Sequence, residues 1–380
     1  MPDRSGSLYK CPTFVLVGLV NIVVQFQPCW FYIIVLVQKI SVTEFLALQA
    51  EARPVIDVRS PAEHELAHIP GAVNLPLFSN AERAEIGTAY KQINRREAVQ
   101  IGLGYFKDKM QKMLQEVAGS FPEAGCKKIL VHCWRGGMRS EAVAWLLSLY
   151  GYEVSVLAGG YKAYRNWVLQ QFKNDYRCAL LGGFTGSGKT EILHKMKADD
   201  YIDLEAIANH RGSVFGAYGS CQPGQQMFEN LLAAELYKRR ARFFWIEDES
   251  RRIGDLNLPE DFWALTRRQP VYFLDVPFEQ RLAGILKDYG HKDSRQLAEG
   301  IERLGKRLGG MRTHRALAYL SANDLPSCFA ILLKYYDKLY GASMQGREKR
   351  IHVIKGDGLA PYDIIGILEH NGKDRFNGIF

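Results

Sequence analysis

The chain has 380 residues, 47% of them hydrophobic and 24% charged, with a formal net charge of +8. That length predicts two domains, each large enough for its own core, and the composition is ordinary for a globular protein rather than a low-complexity one. The seven cysteines are scattered, odd in number and without a C-x-x-C pair, which argues against a disulfide framework or a zinc knuckle and for a reducing, cytoplasmic setting. The basic excess is met either by simple solubility or by a polyanionic partner.

Residues 1–38 stand apart. Thr13 to Val37 is almost wholly apolar and long enough to span a bilayer, but Asn21, Gln25, Gln27 and Pro28 interrupt it, and no clear cleavage site follows. No methionine occurs between Met1 and Met110, and domain-like patterning begins only at Lys39. The expectation is an atypical extension, with a start-site artefact and a true beginning at Val35 or Val37 preferred to a membrane anchor. No stable membrane association is expected.

A first α/β domain is expected over 39–174. Ser41 to Ala50 reads as a short helix with Ser41 as N-cap and Glu44 three residues on. Pro54 to Arg59 reads as a buried strand, and His68 to Pro76 as a turn and a further strand. Lys127 to His132 is a third strand, running into Cys133. Glu141 to Tyr150 is an amphipathic helix, and Val154 to Leu157 a strand closed by Gly159-Gly160.

Cys133 therefore lies at a strand end, in the loop Cys133-Trp134-Arg135-Gly136-Gly137-Met138-Arg139-Ser140 that opens a helix. Loop amides, the helix dipole, Arg135 and Arg139 all favour a thiolate there. These three residues are the candidate catalytic set. The alternative is an inert cysteine before a tight turn.

A second domain is expected over 175–380. Cys178 to Leu181 is a short strand feeding Gly183-Phe184-Thr185-Gly186-Ser187-Gly188-Lys189-Thr190, a full G-x4-G-K-T phosphate loop with a helix following from Glu191. Gly183, Gly186 and Gly188 let amides curl around phosphate, Lys189 adds charge, and Thr190 would ligate Mg²⁺ if a nucleotide were bound. Phe243 to Ile246 reads as a strand ending in Glu247-Asp248-Glu249, an acidic end of the kind that approaches a metal or its water. Gln269 to Val276 is one more strand. No metal held by protein ligands alone is expected. Basic clusters such as Lys238-Arg239-Arg240, Arg267-Arg268 and Arg347 to Arg350 suit a phosphate backbone better than a small metabolite.

Residues 39 to 172 resemble the rhodanese family of sulfurtransferases. The likeness is carried by Ile56-Asp57-Val58-Arg59-Ser60-Pro61-Ala62-Glu63, His68-Ile69-Pro70-Gly71-Ala72, the Cys133 loop and Leu157-Ala158-Gly159-Gly160-Tyr161. In that family the cysteine carries a persulfide cradled by loop amides. The C-x5-R spacing from Cys133 to Arg139 also matches dual-specificity phosphatases, so a phosphatase-like reading stays open.

Further stretches resemble the tRNA 2-selenouridine synthases, from about residue 39 almost to the C-terminus. They include Asp203-Leu204-Glu205, Ala208 to Ser213, Phe215-Gly216, Gln225 to Glu229 and Glu247 to Gly254. This resemblance implies a rhodanese-like domain joined to a P-loop NTPase-like α/β domain. It implies that the wobble 2-thiouridine of certain bacterial tRNAs exchanges sulfur for selenium from selenophosphate, through an S-geranyl intermediate made from geranyl diphosphate. A selenophosphate-producing enzyme would be a partner. On this reading Cys133 holds or delivers the chalcogen, Arg135 and Arg139 steady an anionic donor, and the P-loop cradles a diphosphate. The other reading in view is a rhodanese-type sulfurtransferase fused to an ATPase.

Overall fold

The computed structural model describes residues 19–20, 37–121, 127–210, 221–290 and 293–377. Apart from Leu19, Val20 and Val37, the apolar N-terminal run lies outside the described residues, as do Cys11, Cys29, Cys126 and 211–220 with their quoted motifs. Among the described residues no helix is long and apolar enough to cross a membrane. The chain divides into two compact units, Met1–Trp167 and Val168–Phe380.

The first unit runs β1 (Leu19–Val20), β2 (Val37–Ile40), α1 (Val42–Ala50), β3 (Val55–Asp57), α2 (Pro61–Leu66), β4 (Val73–Asn74), α3 (Asn80–Gln92), α4 (Arg95–Ser120), β5 (Lys128–His132), α5 (Met138–Leu149), β6 (Glu153–Leu157) and the first two turns of α6 (Gly160–Gln171), a helix that continues into the second unit. Its sheet has the order β1-β2-β6-β5-β3-β4, parallel throughout except for β1 on β2. The capping reading at Ser41 holds, its Oγ accepting the Glu44 N–H at 3.2 Å. Strands β3, β5 and β6 are short, nearly continuous apolar runs because helices cover both faces of a parallel sheet. Ile56, Ile129, Val131, Val143, Leu147 and Val156 make the centre of that core.

The α3–α4 pair was not legible in the sequence. Its apolar residues are sparse. Only Ala89 of α3 is buried, and α4 buries Ala98, Gly102, Phe106, Met113 and Val117 along one stripe of an otherwise polar helix.

The second unit contains β7 (Cys178–Gly183), α7 (Lys189–Lys195), β8 (Tyr201–Ile202), α8 (Leu204–Ile207), α9 (Gln225–Arg239) and β9 (Phe244–Glu247), then the β10–β11 hairpin (Arg252–Ile253, Leu256–Asn257), α10 (Glu260–Arg268) and β12 (Val271–Asp275). Four helices follow: α11 (Phe278–Tyr289), α12 (Ser294–Leu308), α13 (Gly310–Ser321) and α14 (Leu325–Ser343). β13 (Ile351–Lys355) and α15 (Pro361–Asn377) close the chain. The sheet is wholly parallel, in the order β13-β12-β7-β9-β8. The four helices have their own core, built on Leu297, Ile301, Leu304, Phe329, Leu332 and Leu333.

In both sheets the loop of interest follows a central strand, β5 or β7, where the chain order switches from one side to the other. Open parallel α/β sheets bind ligands at that point, outside the carboxyl ends of the strands.

Candidate active sites

Cys133 follows β5 and is 3% exposed. Its loop is seated on the turn after β6. The Tyr161 N–H donates to the Cys133 carbonyl at 2.8 Å, and the Lys162 N–H to the Trp134 carbonyl at 3.0 Å. Gly160, at φ +59°, makes this fit: a Cβ there would collide with Cys133 O and with the amide nitrogens of Arg135 and Gly136. The Gly159-Gly160-Tyr161 motif is thus the floor of the cysteine loop.

The Cys133 Sγ lies 3.2 Å from Ser140 Oγ, which is also 3.0 Å from Gly137 O; its single proton is donated to the sulfur when Cys133 is a thiolate. Burial alone would raise the thiol pKa. The Ser140 hydroxyl, the Arg139 charge and the amides of Ser140 and Arg135 outweigh that, and the net shift is downward. Cys178 and Cys328 are buried without such partners, and burial pushes them up to about 12 and about 11. Of the described buried cysteines, only Cys133 is built to be a thiolate.

Because the shift is downward, the reactive anion persists to lower pH than for an ordinary thiol, which titrates near about 8.5. Peptide-resolved iodoacetamide labelling of Cys133 should show a midpoint below that range, and Ser140→Ala and Arg139→Ala should each move it up. A wild-type midpoint at or above the ordinary value contradicts this electrostatic account.

The two arginines differ. Arg135 is exposed, with no ion pair among the described residues. Arg139 Nη1 is held at 2.8 Å by Glu63 Oε2, and Arg83 Nε lies 3.8 Å from the same oxygen. Glu63 is itself fixed by accepting the Ser60 N–H at 3.1 Å, in the first turn of α2. Glu63 and Ser140 both lie in the motifs quoted above, but neither has a role that local spacing reveals. Nothing local links Glu63 to a residue 76 positions on.

Behind the loop, Arg59 and Asp57 form a buried ion pair at 2.5 Å, with the guanidinium 3.9 Å above the Tyr161 ring. His132 is fully buried, 3.8 Å from Asp57 Oδ2. Burial chiefly, with the Arg59 charge, pulls its pKa to about 4 against the pull of Asp57. It is neutral at pH 7.

The P-loop curls between β7 and α7, whose helix begins at Lys189, two residues before the expected start. Lys189 Nζ donates to Gly183 O at 3.0 Å and lies 3.5 Å from Glu247 Oε1. Thr190 Oγ1 donates to Glu247 Oε2 at 3.1 Å. Of the three acids Glu247, Asp248 and Glu249, Glu247 is therefore the one that meets the lysine and the hydroxyl.

Asp248 points elsewhere. It accepts from Arg267 Nη2 at 2.5 Å, from Arg347 Nη1 and from the Tyr340 hydroxyl at 2.8 Å, and that hydroxyl also accepts the Gly183 N–H at 3.2 Å. Glu249 is pushed up to about 8, first by burial and then by the charges of Glu247 and Glu205.

The helical part grips the outer turn of the loop. Arg281 of α11 donates to Thr185 O at 3.0 Å and pairs with Asp337 of α14 at 2.8 Å. Gly186 lies so close to α11 that a Cβ would sit 2.9 Å from Arg281 O and 3.0 Å from Ile285 Cγ1. Beside this contact lies a small cavity of about 30 Å³. Thr185, Ile285 and Tyr289 with Phe329, Leu332 and Leu333 line it, and the surface it exposes is wholly apolar.

The loop fits a phosphate ligand. Ser187 Oγ is buried in it without a hydrogen-bond partner among the described residues, and Lys189 is held only by groups that a phosphate would replace. Among the described residues no three His, Cys, Asp or Glu side chains cluster to hold a metal by themselves. Thr190 and Glu247 suit a Mg²⁺ that draws its remaining ligands from phosphate and water.

Two family models match the chain. The rhodanese-like domain covers residues 41–166, and the tRNA 2-selenouridine synthase AAA domain covers residues 176–365. A tRNA 2-selenouridine synthase of Pseudomonas fluorescens (strain Pf0-1) is 34% identical over 377 residues, covering 89% of this chain and 100% of the relative. One of Pseudomonas putida (strain GB-1) is 34% identical, over 81% of this chain and 92% of the relative. One of Bordetella bronchiseptica is also 34% identical, over 83% and 94%.

Proposed function

The chain belongs to the tRNA 2-selenouridine synthase family, and on that premise we propose that it exchanges the sulfur of wobble 2-thiouridine in tRNA for selenium. Selenophosphate is the donor, and the reaction runs through an S-geranyl intermediate. The work divides between the two loops. At the P-loop, the thiocarbonyl sulfur attacks the first carbon of geranyl diphosphate, the carbon–oxygen bond breaks, and diphosphate leaves as the base loses its N3 proton. Lys189, Thr190 and the loop amides hold the diphosphate, with Mg²⁺ at Thr190 and Glu247 as charge compensation. At the other loop the selenium of selenophosphate bonds to C2 of the base, the C2–S bond breaks so that the prenylated sulfur departs as a thiol, and water cleaves the P–Se bond to release phosphate, with Cys133 and Arg135 holding the selenium donor.

The observation that supports the prenyl step is the loop's fit to a diphosphate: Ser187 Oγ is buried there without a hydrogen-bond partner among the described residues, and Lys189 faces the loop at Gly183 O and Glu247. A diphosphate ester is preferred to a nucleotide because the overall exchange of sulfur for selenium requires no ATP hydrolysis. The Glu247–Thr190 pair favours the second reading, a nucleoside triphosphate with Mg²⁺ in the same loop. For the first loop, the C-x5-R phosphatase reading needs Arg139 free for a phosphate ester, and Arg139 is committed to Glu63. The domain limits proposed are 39–174 and 175–380, with the junction between α6 and β7. Mass spectrometry of tRNA nucleosides, with and without the gene, tests the function.

A further inference from the structure

Trp134, next to the nucleophile, is 37% exposed, and Met138 across the same loop is 51% exposed. The tryptophan is not a loose surface residue. Its carbonyl is tied to the Lys162 N–H, and its ring leans on the fully buried Tyr161 at 5.8 Å between centroids, tilted by 40°. Tyr161 is clamped from its other partner by Arg59 at 3.9 Å. Exposed Arg135 follows Trp134 in the chain, and exposed Lys162 is joined to it by that backbone hydrogen bond. A fixed, exposed aromatic with cations on the two turns that hold it is the arrangement that receives an unstacked base of single-stranded RNA, the ring meeting the base and the cations its phosphates.

We propose that Trp134 is the stacking platform that holds the unpaired wobble base over the Cys133 loop, with Arg135 and Lys162 contacting the flanking phosphates. This rests on the tRNA reading above and adds to it a residue that positions the base. Trp134 touches substrate on this account but exchanges no proton or electron pair with it.

The test is a coupling measurement on the full chain. Two anticodon stem-loops are compared, one with 2-thiouridine at the wobble position and one abasic there, against wild type, Trp134→Phe, Trp134→Leu and Trp134→Ala. Trp134→Ala and Trp134→Leu should weaken the base-containing RNA about tenfold, and Trp134→Phe less than about threefold. All four proteins should bind the abasic RNA equally, so that removing the ring and removing the base are not additive. Equal weakening of both RNAs, or none, overturns the proposal. So does slower selenation by selenophosphate with RNA affinity unchanged, since that would assign the ring to the donor or a protein carrying it. Conversion of 2-thiouridine by wild type, scored separately, decides the underlying reading: an RNA that couples to Trp134 but is never converted defeats the reading and not the platform.

Discussion

Cys133→Ala should abolish selenium incorporation while leaving S-geranylation of the same tRNA intact. The expected loss is on the order of 10³-fold or more, the scale on which removal of a nucleophile is felt. The reason is electrostatic as well as chemical. Cys133 is the one described buried thiol with its pKa drawn down, by Ser140, Arg139 and two loop amides acting against burial. Neither of the other described buried cysteines can replace it. Cys178 sits inside β7 and Cys328 inside α14, and both are pushed up by burial. Purified variant, 2-thiouridine tRNA, geranyl diphosphate and selenophosphate should yield S-geranylthiouridine that accumulates. If the folded variant lost both partial reactions, the division of labour would be wrong.

Lys189→Ala should give the reciprocal defect: no S-geranyl product and therefore no selenouridine, with Cys133 still alkylated at the wild-type rate. Removing one preorganised group that meets developing negative charge costs roughly 10²–10³ in rate. Here the leaving diphosphate gathers that charge, and Lys189 is the P-loop's only charged side chain. The rescue is informative: tRNA already carrying S-geranylthiouridine should be selenated by Lys189→Ala, because the step that needs the phosphate loop has been completed. Failure of that rescue in a folded variant would place Lys189 in both steps. Wild-type geranylation that survives the substitution would move the diphosphate elsewhere and favour the nucleotide reading of the loop.

Both loops were legible because each is a contiguous stretch whose chemistry is set by its neighbours in the chain. Glycines, a lysine and a hydroxyl at fixed spacing leave few alternatives, and the strands before them are short buried runs. What surrounds the loops was not legible. Glu63 reaches Arg139 across 76 residues, and Tyr340 reaches Gly183 across 157. Such pairs are products of the fold, with no local spacing to betray them.

The acidic stretch Glu247-Asp248-Glu249 shows the same limit. Three adjacent carboxylates look equivalent in sequence, yet alternation along an extended chain turns Asp248 away from Lys189, onto Arg267, Arg347 and Tyr340. The helices α11 to α14 are a different case. Their amphipathic periodicity is present in the sequence, with Leu297, Ile301, Leu304 and Leu308 on one face of α12. What periodicity does not tell is that Arg281 and Ile285 of α11 seat the phosphate loop.

The central claim is that two loops on one chain perform consecutive steps on the same tRNA base. Quantitative mass spectrometry of tRNA nucleosides addresses it most directly, in cells carrying the gene, lacking it, or carrying Cys133→Ala or Lys189→Ala. The account predicts 2-selenouridine only with the wild-type gene, S-geranylthiouridine accumulating with Cys133→Ala, and unmodified 2-thiouridine with Lys189→Ala or no gene. Unchanged 2-selenouridine in cells lacking the gene would contradict it.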